Sequence, residues 1–249
     1  MEEKLLQQEP HTDGLPPAQQ KLPSLKQDQY TILHGVLDNP AQYLSNAEQL
    51  IQEHPGDNSN ISNGPKLERT SDRKRKSVSV ERDNPSPSAG QLRATLVACQ
   101  THLARVDKRV AMDKTECFNE KGALFFEELT VLISLPGCVA QAPHTDHDAE
   151  SALSIIIALQ DDTSLWMWPR GPGVQGGNLD FREIQIPTGG AVVFAGNAFH
   201  CGAPYTNWNI RLHCYIDSIG EERHPNQTYV CPQPPPSLTK PPSSTSPLC

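Results

Sequence analysis

The feature that most constrains the fold is a series of eight short apolar segments between positions 129 and 216. Each segment is rich in β-branched or aromatic residues and is bounded by Gly, Pro, Asp or Asn, which favour turns. No helical pattern of useful length separates them, so parallel strand–helix–strand units are not indicated. The predicted strands cover residues 129–135, 138–144, 152–159, 164–168, 181–186, 191–195, 199–202 and 210–216.

One helix is predicted in front of these strands. From Leu92 to Val110, apolar residues recur at steps of three and four, with basic residues between them. Such an amphipathic helix buries its apolar stripe against a sheet. Eight short antiparallel strands preceded by one helix predict a mainly β fold, a jelly roll of two sheets with the helix packed on one of them.

Composition places this domain in the middle of the chain. Residues 91–222 contain all three Trp, all six Phe and eleven of the sixteen Gly. Residues 1–90 contain nine Pro and 23 charged residues, and residues 223–249 contain eight Pro and no acidic residue. We therefore expect a disordered N-terminal region (1–90), a folded domain (91–222) and a Pro-rich disordered tail (223–249).

Several classes of protein are disfavoured by the same sequence. No apolar run approaches the roughly 20 residues of a membrane helix, and the N-terminus lacks the pattern of a signal peptide. The seven Cys show no Cys-x-x-Cys spacing, which favours reduced thiols in an intracellular protein. The middle domain has 9 basic and 16 acidic residues, so its surface does not favour nucleic-acid binding.

Two segments outside the predicted domain allow alternative interpretations. The basic run 73–76 beside Ser77 is either a nuclear-import signal with a phosphorylation switch or a solvated charge run, so the expected location is cytoplasmic or nuclear. The proline clusters at 232–236 and 241–242 either bind a partner of the SH3 or WW type or are simply disordered.

The strongest chemical signal is His144-Thr145-Asp146. Residues two apart on a strand point the same way, so His144 and Asp146 can converge on one point. His200, near the start of the seventh predicted strand, is available as a third ligand, because the second and seventh strands of a jelly roll are neighbours. Two imidazoles and a carboxylate form a facial set that suits Fe(II) and leaves positions open. His147 is an alternative ligand, although a structural role is favoured for it because adjacent strand residues point apart.

The last predicted strand supplies a possible anion site. Asn209, Arg211 and His213 alternate with apolar residues and so share one face, which resembles the wall of a polar pocket. An inward-facing arginine requires an anion, because a buried guanidinium without a partner is costly. A dicarboxylate cosubstrate would provide that anion and could chelate the metal with its other end.

Taken together, the segments 141–146, 190–194, His200 and 209–213 resemble the iron(II)- and 2-oxoglutarate-dependent dioxygenases. The resemblance implies a double-stranded β-helix, Fe(II) held by His144, Asp146 and His200, and the distal carboxylate of 2-oxoglutarate on Arg211. It also implies that O2 and 2-oxoglutarate are consumed in the hydroxylation or demethylation of a substrate, with release of succinate and CO2. Many members carry Ser or Thr two residues after the arginine, where this chain has His213.

Other features and functions remain open from the sequence. The pattern Gly-x-Gly-x-x-Gly at 171–176 favours a surface loop, since no helix follows it to hold a phosphate. Gln141, Ser154 and Trp166 either line a pocket or pack in the core, and Tyr205 either orients the arginine or caps a turn. The alternative functions are an inactive β-helix scaffold acting through its tails and a cupin-type metal enzyme that does not use 2-oxoglutarate. Arg211 disfavours the cupin, which needs no inward arginine there.

Overall fold

The structure, a computed structural model, describes residues 25–53, 59–60, 74–80, 85–104, 124–148, 152–168, 182–218 and 229–230. The helices in these ranges are α1 (Leu25–Asp28), α2 (Pro40–Glu53) and α3 (Pro87–Leu103). The strands are β1 (Tyr30–Leu33), β2 (Ser59–Asn60), β3 (Arg75–Val80), β4 (Leu124–Ser134), β5 (His144–Thr145), β6 (Leu153–Ala158), β7 (Ser164–Trp168), β8 (Arg182–Gln185), β9 (Ala191–Ala195), β10 (Phe199–Gly202), β11 (Asn209–Ser218) and β12 (Tyr229–Val230).

The described strands form two antiparallel sheets. The major sheet has the order β1-β9-β6-β11-β4-β3-β2, and the minor sheet has the order β12-β5-β10-β7-β8. The order is not sequential, because chain neighbours such as β5 and β6 belong to different sheets. The predicted fold class, a mainly β jelly roll with a helix on one sheet, is confirmed.

Two apolar layers hold the sheets and helices together. On one face of the major sheet, Leu50 of α2 and Leu92 of α3 pack in one buried cluster with Val131 and Leu212 of the strands. The other face meets the minor sheet in a second cluster, to which both sheets contribute residues. The helices therefore cover one side of the major sheet, and its opposite side faces the minor sheet.

Alternation along β11 places its polar residues toward the minor sheet. Leu212 and Cys214 belong to the cluster under the helices. Because successive side chains of a strand point to opposite faces, Arg211 and His213 face the space between the sheets. This is the orientation that the sequence predicted for the last strand.

Most predicted strands occur within a residue or two of their expected bounds, but the segment 138–144 does not form a continuous strand. Cys138 makes an isolated bridge to Tyr205, and regular pairing begins only at His144. Pro143 has no backbone N–H to donate to a ladder, which explains why the segment pairs only locally.

The N-terminal part of the chain differs from the prediction of a disordered region over 1–90. Strand β1 pairs with β9, β3 pairs with β4, and α2 packs on the major sheet with α3. Tyr30, Leu50 and Val78 are buried. The predicted domain boundary at residue 91 falls inside α3. The folded domain begins earlier than predicted, because short N-terminal elements with one apolar face complete the major sheet and its helical layer.

The C-terminal region also contributes a short element. Strand β12, inside the predicted tail 223–249, pairs with β5 opposite His144 and Thr145. The proline clusters at 232–242 and the Gly-rich segment 171–176 lie outside the described residues. Within the described ranges, the helices fall short of the length and hydrophobicity that a membrane span needs.

Both interpretations of the basic run 73–76 assumed solvated side chains, which is true of the exposed Lys74 but not of Arg75. Arg75 begins β3 and is only 1% exposed. Its guanidinium donates to backbone carbonyls inside the domain. An import receptor that reads exposed basic side chains therefore has no access to Arg75 in the folded chain. Arg73 lies outside the described residues.

Candidate metal centre and anion site

Side chains from the neighbouring strands β5 and β10, and from the turn after β5, converge on a single point. The Nε2 atoms of His144 and His200 lie 3.8 and 3.6 Å from Oδ1 of Asp146. The three possible ligand atoms all lie within 4.8 Å of one another. Two atoms that bind one ion at about 2.1 Å each are at most about 4.2 Å apart, so both distances to Oδ1 fit a shared ion.

Strand pairing and a tight turn bring these residues together. β5 and β10 are antiparallel neighbours with His200 directly opposite His144, as expected for the second and seventh predicted strands. Asp146 follows β5, and its backbone N–H donates to the carbonyl of Gly196 at 3.0 Å. A Cβ at position 196 would lie 2.8 Å from Cβ of His147, so this close approach requires glycine.

Backbone contacts leave the Nε2 atoms of both histidines available. Nδ1 of His144 lies 2.8 Å from the carbonyl oxygen of Ala142, and Nδ1 of His200 lies 3.0 Å from that of Ala198. A carbonyl only accepts hydrogen bonds, so we assign the proton of each neutral ring to Nδ1. The lone pair of each Nε2 then faces Asp146, the arrangement that fixes metal-binding histidines in other sites.

The charge states also suit a divalent metal. Burial lowers the pKa of His200 from 6.5 to about 4, although the nearby Asp146 carboxylate opposes this shift. Burial by itself would raise the pKa of Asp146, but the surrounding histidines His200, His213 and His144 hold it well below its usual range. At neutral pH the site therefore offers a neutral imidazole at His200 and an ionised carboxylate, both in the form that binds metal.

The second carboxylate oxygen of Asp146 is held by other residues. The Ser154 hydroxyl donates to Oδ2 at 2.6 Å, and Nε2 of His213 lies 3.8 Å from the same oxygen. The His213 ring meets Tyr215 edge-on, with ring centroids 4.6 Å apart. Asp146 is thus oriented with Oδ1 toward the two metal-ligand candidates and Oδ2 toward the major sheet.

Arg211 lies on the major sheet, two residues before His213 on the same face of β11. It is 2% exposed. Nη1 donates to Oγ of Ser134 at 3.0 Å and to Oδ1 of Asn209 at 3.2 Å, and the guanidinium carbon lies 5.1 Å from the ring centroid of Tyr205. Among the described residues, no carboxylate forms an ion pair with Arg211. A buried guanidinium with neutral partners favours binding of an anion.

The remaining residues singled out in the sequence have structural contacts. His147 lies 3.1 Å from the carboxylate of Asp148 and is not part of the converging group. The amide Oε1 of Gln141 accepts from the backbone N–H of Gly202 at 2.8 Å. Trp166 packs in a small separate cluster. None of these three side chains belongs to the converging group of His144, Asp146 and His200.

Sequence reasoning missed three polar residues that support the site. Ser134 contacts Arg211, and Thr163 accepts from Nδ2 of Asn209 at 3.0 Å. Arg75 also reaches Ser134, at 3.3 Å. A single serine or threonine is not part of a motif, so the sequence does not indicate its role. Arginines in a basic run are usually exposed, so the burial of Arg75 was not expected.

Comparison with solved structures identifies the fold. The epimerase SnoN in complex with Fe3+, alpha-ketoglutarate and nogalamycin RO matches 84% of this chain and 93% of its own, with 15% identity and a TM-score of 0.52. A Pseudomonas putida prolyl-4-hydroxylase matches 79% of this chain and 96% of its own, with 14% identity and a TM-score of 0.52. A Trichoplax adhaerens prolyl hydroxylase bound to a hypoxia-inducible-factor peptide matches 78% and 86%, with 13% identity and a TM-score of 0.54.

Sequence comparison adds no closer assignment, because no family model and no curated protein matches this chain. At 13–15% identity, the structural likeness concerns the arrangement of the strands and not the reaction. The chain therefore has the double-stranded β-helix fold seen in iron- and 2-oxoglutarate-dependent oxygenases, with a His-Asp-His group that can hold a metal.

Proposed function

We propose that this protein is an Fe(II)- and 2-oxoglutarate-dependent oxygenase that hydroxylates or demethylates an organic substrate. The observation that carries the proposal is the convergence of His144, Asp146 and His200 within 4.8 Å, with Asp146 and His200 in protonation states suited to a divalent metal. The same space between the sheets contains an arginine that no described carboxylate neutralises. Metal donors and an anion-binding group on facing sheets are what a chelating dicarboxylate requires.

In this proposal His144, Asp146 and His200 would hold Fe(II), and a set of only three protein ligands would leave positions available for cosubstrate and O2. When bound, the iron and 2-oxoglutarate would activate O2, so that one oxygen atom enters the substrate and the other enters the succinate formed when 2-oxoglutarate loses CO2. The chain's own contribution is to fix the ligands before metal arrives. The backbone carbonyls at Ala142 and Ala198 set the histidine tautomers, and Ser154 orients the carboxylate.

Arg211 is proposed to bind the distal carboxylate of 2-oxoglutarate through the guanidinium N–H groups that face away from Ser134. Asn209 and the Tyr205 ring hold the guanidinium on two sides. Tyr205 is itself fixed, because its hydroxyl donates to the Ser164 carbonyl at 2.9 Å and accepts from the Ser164 N–H at 3.1 Å. Because Asn209 accepts a hydrogen bond from the guanidinium, we propose that it acts on the cosubstrate by orienting Arg211.

His213 is proposed as the second cosubstrate contact. It lies one inward-facing position beyond Arg211 on β11, and its Nε2 is 3.8 Å from Asp146. These two positions support a role for the imidazole between the proposed anion site and the proposed metal site. An imidazole N–H there can donate to a carboxylate oxygen of the cosubstrate, as the hydroxyl of Ser or Thr does at this position in many members of the family that the sequence resembles.

The oxygenase proposal is tested with the purified full chain. Fe(II) and 2-oxoglutarate are added in air without any other substrate, and succinate is measured against time. We expect slow succinate formation, because oxygenases of this class also consume 2-oxoglutarate slowly when no substrate is present. His200→Ala should abolish both succinate formation and metal binding, whereas Arg211→Gln should weaken the cosubstrate and spare the metal.

His147→Gln is the matched control, because His147 is buried beside Asp146 but lies outside the converging group. It should retain metal binding. Metal binding without any dependence on 2-oxoglutarate would instead favour the cupin-type alternative. A folded protein that binds no metal and forms no succinate would contradict the proposal and leave the scaffold alternative.

A further inference from the structure

Arg75 ties together three parts of the chain that meet at one end of the two sheets. Its Nη2 donates to the carbonyl oxygens of Ala203 at 2.6 Å, Val139 at 2.7 Å and Gly202 at 3.2 Å. Residues 202–203 follow His200 on the minor sheet, and Val139 precedes His144 in the segment that leads to it. A side chain of β3 in the major sheet thereby anchors both segments that carry the histidine ligands.

The same guanidinium reaches the arginine of the proposed anion site. Nη1 of Arg75 lies 3.3 Å from Oγ of Ser134, and Nη1 of Arg211 lies 3.0 Å from the same oxygen. A hydroxyl has two lone pairs, so it can accept from both donors. The strand register supports this arrangement, because Ser134 of β4 is opposite Arg75 on one side and opposite Asn209 on the other.

Gly202 allows this anchor to form. A Cβ at position 202 would lie 2.5 Å from Oε1 of Gln141 and 2.8 Å from Nη1 of Arg75. The missing side chain lets both polar groups approach the backbone, where Gln141 and Gly202 also exchange backbone and side-chain hydrogen bonds. The anchor is therefore built into the strand that carries His200.

We propose that Arg75 is a positioning residue for the cosubstrate site: it fixes Arg211 through Ser134 and holds the metal-ligand segments at a set distance from it. This inference rests on the proposed function and extends it to a strand outside the segment that resembles known oxygenases. Two guanidinium groups that share one oxygen also keep positive charge near the anion site, which strengthens the attraction for a dicarboxylate.

The test measures binding by equilibrium and does not depend on turnover. Calorimetric titration of 2-oxoglutarate into the Mn(II)-loaded full chain gives a dissociation constant for wild type, Arg75→Lys, Ser134→Ala and the double variant. Arg75→Lys keeps the charge but cannot reach all four oxygens, so we expect its dissociation constant to rise about tenfold, as for other residues that orient ligand groups. Ser134→Ala should produce a similar rise.

The double variant separates positioning from a general loss of structure. If Arg75 acts through Ser134, the double variant should weaken binding by clearly less than the product of the two single effects. Lys76→Gln is the matched control, because Lys76 is the next residue in the basic run and points to the other face of β3. It should bind 2-oxoglutarate as wild type does. Thermal unfolding of each variant shows whether the compared proteins are folded.

The outcomes distinguish this inference from the proposed function. Wild-type protein that binds neither Mn(II) nor 2-oxoglutarate would overturn the proposed function and this inference with it. Wild-type binding together with unchanged affinity in folded Arg75→Lys would overturn only the role of Arg75. If Arg75→Lys does not fold, the Ser134→Ala result decides, since unchanged affinity there removes the link on which the inference depends.

Discussion

Replacement of Ser154 by alanine should weaken metal binding without dismantling the fold. The Ser154 hydroxyl donates to Oδ2 of Asp146 at 2.6 Å, and Ser154 is completely buried on β6. The short distance and the low pKa of Asp146 indicate a hydrogen bond to a charged acceptor. Such bonds contribute roughly 1.5–3 kcal/mol, and water cannot easily replace the hydroxyl in this interior.

The expected magnitude follows from what the carboxylate loses. Without the Ser154 hydroxyl, Nε2 of His213 still lies 3.8 Å from Oδ2, which is longer than a hydrogen bond. The carboxylate then loses the hydrogen bond that fixes its orientation and is freer to rotate away from His144 and His200. Loss of a group that orients a metal ligand typically lowers affinity about 10–100-fold, and we expect a value in that range for Mn(II) or Co(II).

The assay is a metal titration of the purified full chain at neutral pH, read by calorimetry. Ser164→Ala is the matched control, because Ser164 is also buried but lies on β7, and its described hydrogen bonds to Tyr205 use only its backbone. The control should bind metal as wild type does. Folded Ser154→Ala with wild-type affinity would refute the argument that Asp146 is a metal ligand held by its second oxygen.

Three further outcomes follow from burial at other positions. Burial lowers the pKa of His200 from 6.5 to about 4 in the folded chain, so the unfolded chain binds more protons between these two pH values. The free energy of unfolding of the metal-free protein should therefore fall by up to about 3 kcal/mol as pH falls from 6.5 to 4. Denaturant unfolding measures this loss, and His200→Gln should reduce it. Gly196→Ala places a methyl group against His147 and should destabilise the fold by about 1–3 kcal/mol in the same assay. Burial raises the pKa of Cys99 and Cys201 to about 12, so iodoacetamide should label them only after unfolding, as mass spectrometry can show.

The central part of the fold was predictable because its strands carry a strong local pattern. β7, β9 and β10 have the bounds that turn residues and apolar runs indicate. The alternation of β11 also predicts which of its residues face the site. These elements are specified by their own sequence, so neighbouring segments are not needed to recognise them.

The N-terminal elements were not predictable for a physical reason. β1 has four residues, and β3 combines a buried arginine with two serines. β1 is mainly apolar but too short to show a strand period, β3 is mostly polar, and averaging the composition over 90 residues hides both. Their structure depends on edges and faces of a sheet that forms from distant residues, which is tertiary stabilisation and not local propensity.

The site residues also fall into two groups, those that the local sequence indicates and those whose role depends on contacts between distant segments. Spacing within the sequence indicated His144, Asp146 and Arg211, because their chemistry demands partners and their strands alternate. The residues that set their geometry, such as Ser154 and Ser134, are common residue types that become informative only when the two sheets face each other.

Since the proposed metal ligands lie on the minor sheet or directly after β5, and the proposed anion group lies on the major sheet, their separation depends on the contacts that hold the two sheets in register. An apolar interface between sheets resists separation but tolerates small sliding, because dispersion contacts have little directional preference. Hydrogen bonds from a rigid guanidinium to several backbone carbonyls do fix direction. Arg75 makes such bonds across the end of the sheets at which Arg211 lies. We therefore infer that this cross-link from outside the β-helix core sets the separation between the proposed metal ligands and Arg211.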